Sequence, residues 1–316
     1  MTPKVAPNGI PKNHSISSLP STLTSTVTKL STPDHRILLK KRKWFETHTV
    51  IGPPALKRRG DTLNPIVNAT LVFAQEEAGT AVCVSRRGFL LTCSHCVAES
   101  VAELCWEKVH WLIFPSGQVV AAKTVVWDPK RDLALLMIYQ ASSSPSASPS
   151  FPYLRLAHEA PNLRTSLFCI GHPGSEDLET SVPGVQTNYD VLSLSTGKFH
   201  GLDPSQDPQD NSEIGALMHD CWTYWGHSGA PLVEQKSGML VGVHSSWDDE
   251  TGMRRGVAWE AVSAFFGDCE SLLDLSLSQE DDEKRAGESS EAAEIQLLHT
   301  RSRRSKQWDR AASFTI

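Results

Sequence analysis

Apolar runs of strand length recur along the middle of this chain, each closed off by turn-forming residues. They are Leu71-Val-Phe73, Phe89-Leu-Leu-Thr92, Trp111-Leu-Ile-Phe114, Thr124-Val-Val-Trp127, Leu133-Ala-Leu-Leu-Met-Ile138, Leu167-Phe-Cys-Ile170, Val191-Leu-Ser-Leu194 and Met239-Leu-Val-Gly-Val243. Runs this short and this rich in β-branched and aromatic residues read as strands, not helices. The chain is therefore expected to be all-β. Its 20 Gly and 19 Pro in 316 residues supply the turns, and a two-fifths hydrophobic composition can fill one or two substantial cores. A net charge of −6 is too mild to call for nucleic acid or an anionic membrane as partner. No apolar run approaches the ~18 residues of a membrane helix.

The Ser/Pro stretch at 141–150 falls between two groups of strands and reads as a linker between half-domains at 65–140 and 151–266. The region from Ala258 to Leu275, with Val262, Phe265, Phe266, Leu272 and Leu273, supplies a candidate closing helix. No internal repeat stands out at a fixed period. Residues 1–64 look different from the rest. From Met1 to Pro33 there is no acidic residue, and Pro, Ser and Thr dominate, a composition that predicts disorder. No hydrophobic core of a secretory signal is present. The basic runs Leu39-Lys-Lys-Arg-Lys43 and Lys57-Arg-Arg59 fit either a nuclear import signal or a solvated linker, and the acid-poor start fits an organelle transit peptide. Nucleus or cytoplasm, without secretion, is the first reading. Residues 267–316 form a charged tail, acidic at Gln279-Glu-Asp-Asp-Glu283 and basic at Arg301-Ser-Arg-Arg-Ser-Lys306; a solvated tail outweighs nucleic-acid contact there.

Three motifs lie at the ends or starts of strand-like runs: Thr92-Cys-Ser-His-Cys-Val97, Arg131-Asp-Leu-Ala-Leu-Leu136 and Gly226-His-Ser-Gly-Ala-Pro-Leu-Val233. Singly each is weak. Together they present His, Asp and Ser, the residue types that nucleophilic catalysis needs. A serine hydroxyl is a poor nucleophile until an imidazole takes its proton, and the imidazole needs a carboxylate to fix its tautomer and stabilise the imidazolium. A glycine two positions before Ser228 lets the backbone turn so that the Gly226 and Ser228 N–H groups can bind a developing oxyanion.

The stretch from Gly79 to His95, Gly-Thr-Ala-Val-Cys-Val-Ser-Arg-Arg-Gly-Phe-Leu-Leu-Thr-Cys-Ser-His, resembles the histidine region of trypsin-like (chymotrypsin-fold) serine peptidases. It is most similar to the HtrA/Deg and glutamyl-endopeptidase branch, and the likeness runs from Pro65 to Phe266. The resemblance implies two Greek-key β-barrels packed face to face, with the active site in the cleft between them. It implies His95 as general base, Asp132 as its orienting carboxylate, Ser228 as nucleophile, and Gly226 with Ser228 as the oxyanion hole. Most secreted relatives carry an aspartate just before the serine, which pairs with an N-terminal amine after zymogen cleavage. Here that position is His227, so Val50-Ile-Gly52 is read as a chance match to an activated N-terminus, and no such cleavage is expected. Ala230 replaces a usual glycine, small for small. The fifty or so residues beyond the likeness are too few for the PDZ module of many HtrA relatives.

Seven cysteines make an odd count. In secreted relatives the cysteine after the active-site histidine bridges to one sixteen residues upstream; here that residue is Thr80, and Cys96 lacks that partner. Cys83, on a neighbouring strand, is the remaining candidate, and free thiols in a reducing compartment are the expectation. Cys93-Ser-His-Cys96 could be half a zinc knuckle, but no second Cys-x-x-Cys exists, and Cys105 with His110 substitutes poorly. No metal or cofactor is expected.

In this fold the substrate's P1 side chain meets the residues before the nucleophile and the strand after Met239–Val243. That selects Trp222, Thr223, His244 and Ser245 as candidates. No acidic residue occupies the six positions before Ser228, which disfavours Lys or Arg at P1. Thr223 and His244 stand where glutamyl endopeptidases bind an acidic P1, and both can donate to a carboxylate. Trp222, Tyr224 and Trp225 fit an apolar pocket, and an apolar P1 is the first reading with an acidic P1 second. The expected function is a serine endopeptidase acting on polypeptides through an acyl-enzyme; the alternative is a catalytically silent scaffold of the same fold.

Overall fold

In the computed structural model the strand-length runs pair edge to edge until two sheets close on themselves. Residues 3–7, 15–48, 50, 60–75, 79–142 and 150–273 are described. The N-terminal elements are β1 (Lys4–Val5), β2 (Ser17–Leu19), α1 (Ser25–Thr28), α2 (Thr32–Thr47) and α3 (Gly60–Asn68). The first barrel follows with β3 (Thr70–Phe73), β4 (Thr80–Cys83), β5 (Phe89–Thr92), β6 (His110–Ile113), β7 (Val119–Asp128) and β8 (Leu133–Ser142). These six strands run in the order β6-β3-β4-β5-β8-β7, and β7 closes back on β6 through antiparallel pairs. Alternate residues point inward, so Leu71 with Phe73, Ala81 with Cys83, and Leu112 with Phe114 meet Trp127 and Leu136 in one core. Register shifts between β7 and β8 near Ala121 and Thr124 bend these two long strands.

The second barrel contains β9 (Ser166–Gly171), β10 (Ser193–Leu202), β11 (Leu217–His219), β12 (Pro231–Glu234), β13 (Leu240–Trp247) and β14 (Arg254–Ala258), followed by α4 (Trp259–Leu273). Its closed order is β12-β9-β10-β11-β14-β13, the same path as in the first barrel. In each barrel the fourth strand returns beside the first, which is a Greek key. Leu167, Cys169, Phe199, Leu217, Leu232 and Val241 fill its interior. All seven cysteines are free. No helix among the described residues is long and apolar enough to cross a membrane.

The expectation of a disordered N-terminal segment is corrected over its described residues. β1 adds antiparallel to β7 through Lys4↔Trp127, and β2 adds parallel to β8. Helix α2 starts on a Ser31 cap whose hydroxyl accepts from the Asp34 N–H, with Pro near its first turn and Asp34 against the helix N-terminus. Leu38, Lys41 and Phe45 recur on one face and are all buried. The Lys41 ammonium donates to the Phe73 carbonyl at 2.9 Å. The first basic run thus belongs to a packed helix, and one of its lysines lies inside the protein. Lys57-Arg-Arg59, residues 143–149 of the linker and the chain from 274 lie outside the described residues. β8 runs two residues into the expected linker, and α4 continues past the expected start of the tail.

Candidate active site

His95 lies in the turn after β5, Asp132 immediately before β8, and Ser228 in the loop between β11 and β12. Asp132 holds a left-handed backbone, φ +53°, a conformation that aspartate tolerates better than most residues and that recurs at functional sites. Its side chain is 7% exposed. Nδ1 of His95 lies 2.9 and 3.0 Å from its two oxygens. The Ser94 hydroxyl donates to Oδ1 at 2.9 Å, and the Ser245 hydroxyl to Oδ2 at 2.6 Å. Burial alone would raise the Asp132 pKa, but His95, Ser245 and Ser94 together hold it below the ordinary carboxylate value. Burial opposes a charge on His95 as well; Asp132 outweighs it and raises the imidazole pKa. With Nδ1–H given to the carboxylate, Nε2 is the nitrogen that serves as the base in the neutral ring.

His95, Asp132 and Ser228 line one cavity of about 460 Å³, together with Trp225, His244 and Trp247. The Ser228 hydroxyl donates to the Ser245 carbonyl at 3.0 Å. No hydrogen bond joins it to His95 among the described residues, so the pair needs a rotation of the serine side chain to close. Resting sites are often loose in this way.

The loop around the serine is fixed from several sides. Gly226 has φ +93°, and a Cβ there would strike the His172 carbonyl. The Trp225 carbonyl accepts from the Gly174 N–H at 2.6 Å, so the trans peptide turns the Gly226 N–H the opposite way. Thr80 donates its N–H to the Ser228 carbonyl at 2.8 Å and its hydroxyl to the Gly226 carbonyl at 3.1 Å. The N–H groups of Gly226 and Ser228 themselves donate to nothing among the described residues. They form a free pair of donors beside the serine. His227 is buried between them and pairs internally: the Tyr224 N–H donates to its Nδ1 at 3.1 Å, and Nε2 faces the Ser193 hydroxyl at 3.2 Å. Burial pushes its pKa down to about 4, so at neutral pH the imidazole orders the loop without charge.

The four residues selected for substrate contact separate. Ser245 serves Asp132 and receives the Ser228 hydroxyl. His244 lines the cavity, and its Nδ1 meets Nε2 of His219 at 3.0 Å inside the second barrel. Thr223 is buried against a smaller neighbouring cavity. Trp222 is 40% exposed, packs edge-on against Tyr189 and His227, and lines neither of these cavities. Sequence reasoning missed Ser94, Thr80 and Trp247. Ser94 adjoins His95 in its own motif, a signal that was available; Thr80 and Trp247 acquire their places only by strand pairing.

Cys93, His95 and Asp132 bring one ligand atom each within 4.8 Å of one another. Their chemistry does not suit a metal. Burial, then Asp132, raises the Cys93 thiol well above its ordinary pKa, and the Nδ1 of His95 is already committed to the carboxylate.

Two six-stranded barrels of one topology, with serine, histidine and aspartate gathered on one cavity, define a peptidase of the chymotrypsin fold. Residues 79–243 match the family described as trypsin-like peptidase domain, and the chain belongs to that family. By fold it is a trypsin-like peptidase domain. No curated protein sequence matches it significantly. Among solved structures it is similar to the serine endoprotease from Yersinia pestis, with 16% identity and a TM-score of 0.47 over 65% of this chain and 64% of that one. It therefore spans less than two thirds of the Yersinia chain's length. It is also similar to the Rv3671c protease from M. tuberculosis, in its active form (14% identity, TM-score 0.49, 70% of this chain and 88% of that one) and its inactive form (16%, 0.48, 72% and 100%).

Proposed function

We propose that this chain is a serine endopeptidase that works through an acyl-enzyme. Ser228 Oγ attacks the scissile carbonyl while Nε2 of His95 takes its proton, and Asp132 stabilises the imidazolium. The carbonyl oxygen gains charge and is held by the Gly226 and Ser228 N–H groups. His95 then gives its proton to the leaving amine, and a water activated by the same imidazole releases the acid.

The observation that carries this reading is the pair of unpaired N–H groups beside Ser228. Donors of this kind accept charge that develops in the transition state, and a scaffold has no use for them. Hydrolysis of a mixed peptide library, read by mass spectrometry, tests it. Ser228→Ala and His95→Ala should each lose at least about 10³-fold in rate. Equal cleavage by wild type and both variants, or none by a folded wild type, favours the scaffold instead.

A further inference from the structure

In the proposed reaction His95 hands its proton to the leaving amine, so the chain beyond that amine runs past the imidazole. The catalytic cavity continues beyond His95. A second cavity, of about 700 Å³, shares His95, Ala98 and Glu99 with it and lacks Ser228, Trp225 and Trp247. The N-terminal segment supplies part of its wall through Leu30 and Asp34. Lys41, two turns along α2 from Asp34, donates to the carbonyl of Phe73, itself a lining residue, and so ties the helix to this wall.

The lining carries three carboxylates, Asp34, Glu99 and Glu103, against one ammonium, Lys108. Asp34 is half-buried and accepts from the Ser31 hydroxyl at 2.7 Å; Glu99 and Glu103 are exposed. None of the three forms an ion pair among the described residues. The cavity also reaches His110, which is 2% exposed. Its Nε2 faces the Thr124 hydroxyl at 3.3 Å, and its Nδ1 has no partner among the described residues. Burial, then Lys108, pushes its pKa down to about 3, so the ring adds no positive charge to the cavity. Surplus carboxylate at the rim, with the uncharged rings of His110 and Phe73 deeper in, suits a cation carried on an aliphatic stem.

We propose that helix α2 and the segment after His95 form a leaving-side subsite, which takes a lysine or arginine within about three residues of the scissile bond, roughly 10 Å of extended chain. The proposal rests on the endopeptidase reading. Motif reasoning did not reach Asp34, because it follows directly on a stretch whose composition predicts disorder.

Peptides of one cleavable sequence, with arginine, its neutral isostere citrulline or glutamate placed singly at each leaving-side position, test it on the full chain. Fluorophosphonate labelling of Ser228 counts the assembled sites. Arginine should exceed citrulline by at least about fivefold in kcat/KM at one of these positions, and molar salt should bring the ratio toward unity. Glu99→Gln and Asp34→Asn should each lower that ratio roughly 2- to 5-fold; asparagine keeps an acceptor for the Ser31 hydroxyl. Labelled enzyme that treats arginine and citrulline alike, or whose ratio both variants leave unchanged, overturns the proposal and leaves the peptidase reading standing. If a folded wild type neither labels nor cleaves, the peptidase reading falls, and fluorescence anisotropy of the arginine and citrulline peptides on Ser228→Ala decides the cavity. Arginine-selective binding that Glu99→Gln weakens supports it; equal binding of the two peptides overturns it.

Discussion

Asp132 shows how much protein is spent on one carboxylate. It is buried, and its two oxygens receive Nδ1 of His95 and the hydroxyls of Ser94 and Ser245. Because Ser94 fixes Oδ1 and Ser245 fixes Oδ2, the carboxylate plane and hence the orientation of the imidazole that faces both oxygens are set before any substrate arrives. Ser245→Ala removes one donor and leaves Oδ2 under-satisfied. Its kcat should fall about 10- to 100-fold with little change in KM, as expected for a charged hydrogen bond that acts through His95. Steady-state kinetics on one peptide checks this; a pure KM effect would return Ser245 to the substrate-contact role assigned from sequence.

At the scale of elements, the N-terminal segment changes most between sequence and structure. Its composition argues for disorder, yet Ser31-Thr-Pro-Asp34 is a helix start and Leu38, Lys41 and Phe45 make a face. Averaged over the window, lysines and threonines drown that face, because Lys41 counts as polar in a pattern although it is 5% exposed in the structure. Leu38 is fully buried. Leu38→Ala should cost about 2–5 kcal/mol if α2 folds with the barrel. Chemical denaturation measures this, and a loss within error would mean that the helix contributes nothing to the folded unit. Most barrel strands, by contrast, were legible because each carries its apolar run and its turn residues locally; β1, β2, β11 and β14 carry no such run and were not read.

For the whole molecule, the repeated barrel order was invisible in sequence, since loops of unequal length erase any fixed period. The three motifs were readable because chemistry restricts their residue types; Thr80 and Trp247 were not, because pairing across strands places them. The barrels also bury neutral imidazoles. Burial pushes His110 and His219 down to about 3 and His227 to about 4. An unfolded chain would protonate them near the ordinary value of about 6.5, so below that pH the unfolded state binds more protons and stability falls with acidification toward 4. His95, raised by Asp132, acts oppositely: its contribution is held at low pH and lost as pH rises through its folded value. Melting temperature should therefore drop between pH 6.5 and 4.5, and a flat or rising curve would show that these histidines are not buried neutral.

The central claim is that His95, Asp132 and Ser228 form a working nucleophile, although the resting serine points at the Ser245 carbonyl. Covalent labelling by a fluorophosphonate addresses it directly, with wild type, Ser228→Ala and His95→Ala compared as purified, folded chains. Labelling of the wild type alone is the predicted result. Labelling that survives Ser228→Ala, or a folded wild type that takes no label, would contradict it.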